Sequence, residues 1–92
     1  MKTVRLRISG RVQGVGYRDW TIGTARELGL IGWVRNRADG NVEALASGDQ
    51  AKIDRFVDAC RRGPRLAFVG SLTVEPAEAE PSLNDFSQRP AL

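Results

Sequence analysis

Apolar and polar residues alternate at the start of the chain. The apolar Val4, Leu6 and Ile8 are each separated by one polar residue, so their side chains point to the same side of an extended backbone. This period of two predicts a β-strand at 3–9 with one face on a hydrophobic core.

A glycine-rich segment separates this strand from a helical pattern. Ala25 and Leu28 recur at helical spacing, which predicts a helix over 18–28. Gly29 suits the position just after the end of this helix, with Leu30 as the hydrophobic contact that accompanies such an ending.

The rest of the chain continues the succession of strands and helices. Asp39 and Gly40 lie between two strand-like runs and favour a tight hairpin. A second set of apolar residues follows the i, i+3, i+4, i+7 pattern of an amphipathic helix. The predicted elements after the first helix are strands at 31–37 and 42–47, a helix between Asp49 and Gly63, a strand at 66–75 and a short fifth strand at 83–89.

The order of elements predicts an α+β protein with a ferredoxin-like βαββαβ sandwich. Right-handed crossovers place both helices on one face of an antiparallel sheet. The other face stays open, and Arg5 and Arg7 are expected to lie on it. We predict one domain covering 1–92, because the chain is long enough for one modest core only.

Composition fits a soluble globular protein, since 41% of the residues are hydrophobic and 27% are charged. No apolar run approaches the roughly 20 residues that cross a membrane, so no membrane association is expected. Lys2 and Arg5 carry charge where a signal peptide needs its apolar segment. With a single cysteine there is no internal disulfide, and we expect the cytoplasm as the location.

The chain contains no histidine, which excludes Ser-His-Asp and Cys-His catalysis. Zinc sites built on histidine are also excluded, and one cysteine cannot form a thiolate cluster. A carboxylate-only metal site remains possible, although no aspartate cluster of the calcium-loop type is present. An enzyme of this composition would work by positioning and electrostatics.

The net charge of +3 is unevenly distributed. Residues 1–37 hold eight Lys or Arg and two Asp or Glu, whereas the stretch from Glu75 onward is acidic. A basic half suggests an anionic partner, either a small phosphate-like molecule or a nucleic acid. An ordinary solvated surface is the alternative interpretation.

The segment Gly10–Arg18 has the features of an anion site. Its glycines allow tight turns and a close approach of the backbone to a ligand, and several N–H groups can point into one concavity. The following helix adds the positive end of its dipole. Arg18 adds a charged fork of donors that matches phosphate or carboxylate oxygens. A glycine-rich turn with a surface arginine remains the alternative.

Asn36 is the second candidate site residue. Its side chain has one acceptor and two donors, so its carbonyl oxygen could hold a water molecule. In this order of elements, the strand that ends at Asn36 is expected to lie close to the first strand, which would bring Asn36 to the glycine loop. The alternative is that Asn36 merely starts the turn.

Two motifs at this separation resemble the acylphosphatase family. They are Gly10–Arg18, and Gly32–Asn36 followed by Asp39–Glu43. The resemblance covers nearly the whole chain, because single positions outside the motifs also match, namely Ala25, Leu28–Leu30, Gly48, Phe56 and Gly63–Pro64.

The resemblance implies an acylphosphatase with a ferredoxin-like fold. Such enzymes hydrolyse the carboxyl–phosphate bond of acyl phosphates without a metal or organic cofactor. It implies Arg18 and Asn36 as catalytic residues and a monomer whose partners are a small acyl phosphate substrate and inorganic phosphate as product or inhibitor. The backbone amides that it implies as phosphate ligands belong to Gln13, Gly14, Val15, Gly16 and Tyr17.

The chain departs from the family pattern at two places. Many members have two bulky residues before the arginine, where this chain has Gly16 and Tyr17, which bears on the rigidity of the loop. The residue after the asparagine is often small or hydroxylated, whereas here it is Arg37, which bears on substrate preference.

A non-catalytic anion- or RNA-binding ferredoxin-like module is the alternative to an enzyme. RNA-binding domains of this shape need aromatic residues on the central strands, but the first strand presents Arg5 and Arg7. Nucleic acid is therefore disfavoured as a partner. The length of the chain and the presence of both Arg18 and Asn36 favour a free-standing enzyme.

Overall fold

The computed structural model describes residues 1–92 and contains two helices and five strands. Each predicted element is present, and the ferredoxin-like βαββαβ order is confirmed. The elements are β1 (Lys2–Arg11), α1 (Tyr17–Glu27), β2 (Ile31–Asn36), β3 (Val42–Gly48), α2 (Gln50–Arg62), β4 (Phe68–Pro76) and β5 (Phe86–Gln88).

The hydrophobic core lies between the helices and one face of the sheet. Val4, Leu6 and Ile8 of β1 are 0–2% exposed, as their alternation predicts. Phe56 and Cys60 of α2 are fully buried in the same cluster. Both helices therefore cover the face of the sheet to which the apolar residues of β1 point.

The end of α1 follows the predicted pattern. Gly29 has a φ of 70°, in the left-handed region that glycine adopts easily. Gly29 N donates to Arg26 O and Leu30 N donates to Ala25 O, both at 3.0 Å. These are the two hydrogen bonds of a Schellman ending, and they direct the chain from the helix back into β2.

The strand of Asn36 does not lie directly beside the first strand, although the sequence predicts that the two are close. The sheet order is β4-β1-β3-β2-β5, so β3 lies between β1 and β2. Val4 pairs with Ala46, and Ala46 in turn pairs with Gly32. The reason is geometric: a crossover helix about 10 Å wide spans two strand spacings of about 4.8 Å, and the antiparallel β3 fills the position between.

The fifth strand also corrects the prediction of an antiparallel sheet. β5 pairs with β2 in parallel, from Gly32 opposite Phe86 to Val34 opposite Gln88, so the sheet is mixed. The Phe86 ring is fully buried and lies edge-on to Phe56, with 5.8 Å between ring centres. Burial of this ring explains why so short a strand is retained at the edge.

The face opposite the helices is less open than predicted. Leu45 and Trp33 lie on it, yet they are only 1% and 2% exposed. The Trp33 Nε1 donates to Glu80 at 3.2 Å, and the guanidinium groups of Arg35 and Arg89 lie 4.7 and 5.0 Å from the centre of its ring. Side chains from β2 and from the segments after β4 and β5 thus cover this face.

A buried carboxylate at the centre of this face is shared by three arginines. Glu43 is 4% exposed. The Nε atom of Arg35 and the Nη1 atom of Arg37 lie 2.9 and 3.0 Å from Glu43 Oε1, and Arg5 Nε lies 3.5 Å from Oε2. Burial by itself would raise the pKa of Glu43, but the hydrogen bonds and charges of Arg35 and Arg37 outweigh it and hold the pKa below its usual value.

We expect the Glu43 cluster to make stability depend on pH. Because the folded-state pKa is lowered, its contribution is present above the pKa of the unfolded chain, about 4.3, and is lost as pH falls through the folded-state value. Glu43→Gln should therefore lower the free energy of unfolding near neutral pH, and its difference from the parent should shrink in acid. Urea titrations at several pH values measure this. Glu78→Gln, at an exposed site, is the matched control, and a difference for Glu43→Gln that is independent of pH would contradict the expectation.

Neither helix is long and apolar enough to cross a membrane.

Candidate active site

The glycine loop begins at a bulge in β1. Between Ser9 and Gly10 the register of β1 against β4 shifts. Gly10 has a φ of 123°, and a Cβ atom there would lie 2.2 Å from the Phe68 carbonyl oxygen. Only glycine fits this approach, and the bulge bends the end of β1 toward the loop.

Two left-handed glycines shape the loop itself. Gly14 and Gly16 have φ values of 74° and 80°, and Gly16 is the N-cap of α1. Among the backbone hydrogen bonds outside helices and strands, the only one of this segment joins Trp20 N to Gly16 O at 3.1 Å. None of these bonds uses an N–H of residues 13–17 as its donor. These N–H groups precede or begin α1, where the first amides have no acceptor within the helix and the helix dipole is positive.

A small cavity lies beside the loop. Its volume is about 220 Å³, and four of its lining residues were predicted as site residues. This is below the roughly 300–1,000 Å³ of sites for drug-sized ligands, so its size suits a small group such as a phosphoryl group. The lining residues are Val12, Gly14, Gly16, Tyr17, Arg18 and Asp19.

Arg18 is the one arginine of this cavity. It lies in the first turn of α1 and is partly buried. None of the ion pairs of the structure includes Arg18. Its guanidinium is therefore not neutralised by the protein and retains its donors for a ligand.

Tyr17 anchors the start of α1 to α2. Its side chain is 1% exposed, and its hydroxyl donates to the Cys60 carbonyl oxygen of α2 at 2.7 Å. Burial raises the pKa of the Tyr17 hydroxyl, so it stays protonated as a donor. Burial also raises the pKa of the Cys60 thiol to about 12, which keeps the thiol neutral in the core. This hydrogen bond fixes Tyr17, the residue before Arg18. It therefore limits the mobility of the loop end although Gly16 has no side chain to pack.

Asn36 lies at the end of β2 and does not start the turn. It pairs with Val42 in the hairpin, and the turn is closed by Arg37 N donating to Asn41 O at 2.8 Å. The Asn36 Oδ1 atom is buried and has no hydrogen-bond partner. A buried acceptor without a partner is rare in native proteins, and a bound water or ligand would satisfy it.

The structure links the loop to the Asn36 hairpin through a side chain. Gln13 Nε2 donates to the carbonyl oxygens of Arg37 and Asn41, each at 2.9 Å. The sequence pointed to Gln13 only for its backbone amide, because nothing local indicates where a glutamine side chain ends. Val15 is not among the residues lining the cavity, since it packs against the core.

Trp20 and Arg37, two other residues near the motifs, make structural contacts. Trp20 packs against the core, with its ring centre 5.5 Å from that of Tyr17. The Arg37 side chain contacts Glu43 on the opposite face of the sheet. No three His, Cys, Asp or Glu side chains are grouped so that they could hold a metal ion.

Known proteins match this chain in both sequence and structure. Residues 4–88 match the Acylphosphatase family. An acylphosphatase of Rhodospirillum rubrum is 56% identical over 92 residues, which is 100% of each chain. The crystal structure of the acylphosphatase from Bacillus subtilis superposes with a TM-score of 0.91 at 36% identity, covering 97% of this chain and 99% of that one. The structure of an acylphosphatase from Coxiella burnetii gives a TM-score of 0.90 at 34% identity, with 96% and 92% covered. The chain therefore belongs to the acylphosphatase family.

Proposed function

We propose that this chain hydrolyses the carboxyl–phosphate bond of small acyl phosphates to a carboxylate and inorganic phosphate. The observation that carries the proposal is the unpaired Arg18 guanidinium in a small cavity beside the glycine loop. A dianionic phosphoryl group supplies what this cavity lacks, which is negative charge and acceptor oxygens.

Arg18 and the loop amides bind the phosphoryl group. The amides of Gln13, Gly14, Val15, Gly16 and Tyr17 donate to non-bridging oxygens, while the Arg18 fork donates to two of them at once. Charge spreads over these oxygens in the transition state of phosphoryl transfer. Donors that are already oriented stabilise that charge without further reorganisation.

Asn36 orients the attacking water. Its buried Oδ1 atom, which has no partner in the protein, accepts a hydrogen bond from the water and fixes the direction of its lone pair. The water oxygen attacks phosphorus in line with the leaving carboxylate, and the bond between phosphorus and the carboxyl oxygen breaks. The proton of the water passes to the phosphoryl group, so the products are a carboxylate and inorganic phosphate.

This chemistry suits a site without a general base or a metal. A carboxylate is a good leaving group, so the step needs little help from acids or bases, and the chain has no histidine to provide it. We infer that neither a metal nor an organic cofactor takes part. The loop and Arg18 provide the positive charge that a metal ion supplies in other phosphoryl-transfer enzymes.

The test compares the parent with Asn36→Ala on benzoyl phosphate in the presence of EDTA. We expect the parent to turn over without metal and Asn36→Ala to lose about 10²-fold in kcat, because a misplaced nucleophile costs about that much. The inhibition constant of inorganic phosphate should change little. Parental kcat in Asn36→Ala would refute the role of Asn36 in orienting water, and loss of parental activity with EDTA would refute metal independence.

A matched control is Asn84→Ala, at an exposed asparagine in the segment before β5. This change should leave kcat and the inhibition constant of phosphate unaltered. A similar loss in Asn84→Ala would mean that the assay reports general damage to the fold rather than the site.

The alternative of an RNA-binding module has less support. Its bases would stack on aromatic side chains of the open face, but Trp33 is 2% exposed and lies beneath Arg35 and Arg89. We also propose a single cytoplasmic domain, 1–92, that acts as a monomer on a small-molecule substrate.

A further inference from the structure

We propose that Gln13 is a positioning residue. Its side-chain amide helps to set the distance between the phosphate-binding loop and the Asn36 hairpin. The inference rests on the proposed function, because it assigns Gln13 a part in the same reaction. Gln13 would thus have two separate uses: its backbone N–H binds phosphate in the proposed function, and its side chain holds the end of the hairpin next to Asn36.

The hydrogen bonds of the Gln13 side chain are directed at the mouth of the hairpin. Nε2 has two hydrogens, and they are donated to Arg37 O and Asn41 O at 2.9 Å each. These carbonyls belong to the residues that close the turn, since Arg37 N donates to Asn41 O at 2.8 Å. One amide nitrogen therefore forms hydrogen bonds with both strands' ends at the hairpin turn.

The sheet places Asn36 relative to β1, because Asn36 pairs with Val42 and Val42 pairs with Ile8. The sheet does not place the loop, which begins after β1 ends at Arg11.

The backbone of Asn36 is held on its outer side by Leu92, whose N–H donates to Asn36 O at 3.1 Å. On the side of the loop, Gln13 bonds the carbonyl oxygens of Arg37 and Asn41. The distance between the loop and Asn36 thus depends on this side-chain bridge as well as on the sheet.

Arg37 is fixed from two directions. Its carbonyl oxygen accepts from Gln13, while its guanidinium donates to Glu43 on the opposite face of the sheet. Removing the amide of Gln13 leaves the Arg37 and Asn41 carbonyls without that donor and frees the hairpin end to shift. A misplacement of about 1 Å between reacting groups costs about 10²-fold in rate.

The first test replaces Gln13 with methionine, which keeps the length of the side chain but cannot donate. We expect kcat for benzoyl phosphate to fall about 10–100-fold, while the inhibition constant of inorganic phosphate stays within about twofold because the backbone N–H is unchanged. Gln50→Met is the matched control, because the Gln50 amide bonds Asp54 on the exposed surface of α2. Parental kcat in Gln13→Met, or a weaker phosphate affinity with kcat unchanged, would overturn the inference.

The second test asks whether Gln13 acts through Asn36. In an Asn36→Ala background, Gln13→Met should lower kcat no further, since the group that it positions is gone. An equal, additive loss in both backgrounds would show that Gln13 acts on something else. If the parent does not hydrolyse benzoyl phosphate, the proposed function fails, and parental kcat in Asn36→Ala refutes the role of Asn36 in orienting water. A defective Asn36→Ala with a parental Gln13→Met refutes only the role of Gln13.

A third variant remains informative if Gln13→Met does not fold. Gln13→Glu has the same shape, but its carboxylate faces two carbonyl oxygens and donates nothing at neutral pH. Protonation restores one donor, so the ratio of its kcat to that of the parent should rise as pH falls below about 5. A ratio that does not change with pH would contradict the proposed bridge. A merely structural loss has no reason to recover in acid.

Discussion

Arg18→Lys should lose at least about 10²-fold in kcat/KM for benzoyl phosphate although the positive charge is retained. Loss of one preoriented donor to an oxyanion typically costs about 10²–10³-fold. Lysine is a point charge on a flexible stem, whereas the guanidinium holds two parallel donors in one plane. Because Arg18 has no carboxylate partner in the structure, its replacement leaves no buried charge unpaired.

The measurement is steady-state hydrolysis together with the inhibition constant of phosphate. Arg18→Ala should lose more than Arg18→Lys and should also bind phosphate more weakly. Arg61→Lys, at an exposed position of α2, should match the parent and serves as the control. Arg18→Lys within about threefold of the parent would mean that charge alone is sufficient and that the fork geometry is not used.

Gly32→Ala should unfold most of the protein at temperatures where the parent is stable. Gly32 has a φ of 153°, and a Cβ atom there would lie 1.8 Å from the Leu45 carbonyl oxygen and 3.0 Å from the Phe86 ring. A backbone atom cannot move away without breaking the β2–β3 ladder. A clash of this kind should lower the free energy of unfolding by about 4 kcal/mol or more. The total free energy of unfolding of a typical domain is only about 5–15 kcal/mol.

The matched control is the same substitution at Gly23. This glycine lies in α1, has no positive φ, and nothing lies within 4 Å of the position of a Cβ atom. Gly23→Ala should therefore raise the free energy of unfolding by about 0.5–1 kcal/mol. Thermal unfolding followed by circular dichroism measures both variants. A Tm for Gly32→Ala within a few degrees of the parent would show that β2 tolerates the displacement.

The glycine loop and its arginine could be recognised from the sequence because their chemistry is local. Turns at Gly14 and Gly16 need a residue without a side chain, and a helix start after them places amides and Arg18 on one side. The helix ending at Gly29 was predictable for the same reason. Each of these features depends on residues that are neighbours in the chain.

The contacts that complete the site join distant residues and could not be predicted in this way. The Gln13 amide reaches Arg37 and Asn41, and Tyr17 bonds a carbonyl oxygen of α2. Nothing in the local pattern says which acceptor a glutamine or tyrosine will find, because that depends on how the sheet and helices pack. The position of β3 between β1 and β2 was not predicted from the sequence for the same reason.

The order of elements, the apolar face of each and the glycine turns before Arg18 could be predicted from the sequence, since period, glycine placement and charge act over a few residues. The strand order, the burial of Glu43 among arginines and the bridge from the loop to the Asn36 hairpin became visible only in the folded chain. These properties depend on which segments pack together, and the packing is set by burial of the whole core rather than by any one stretch of the chain.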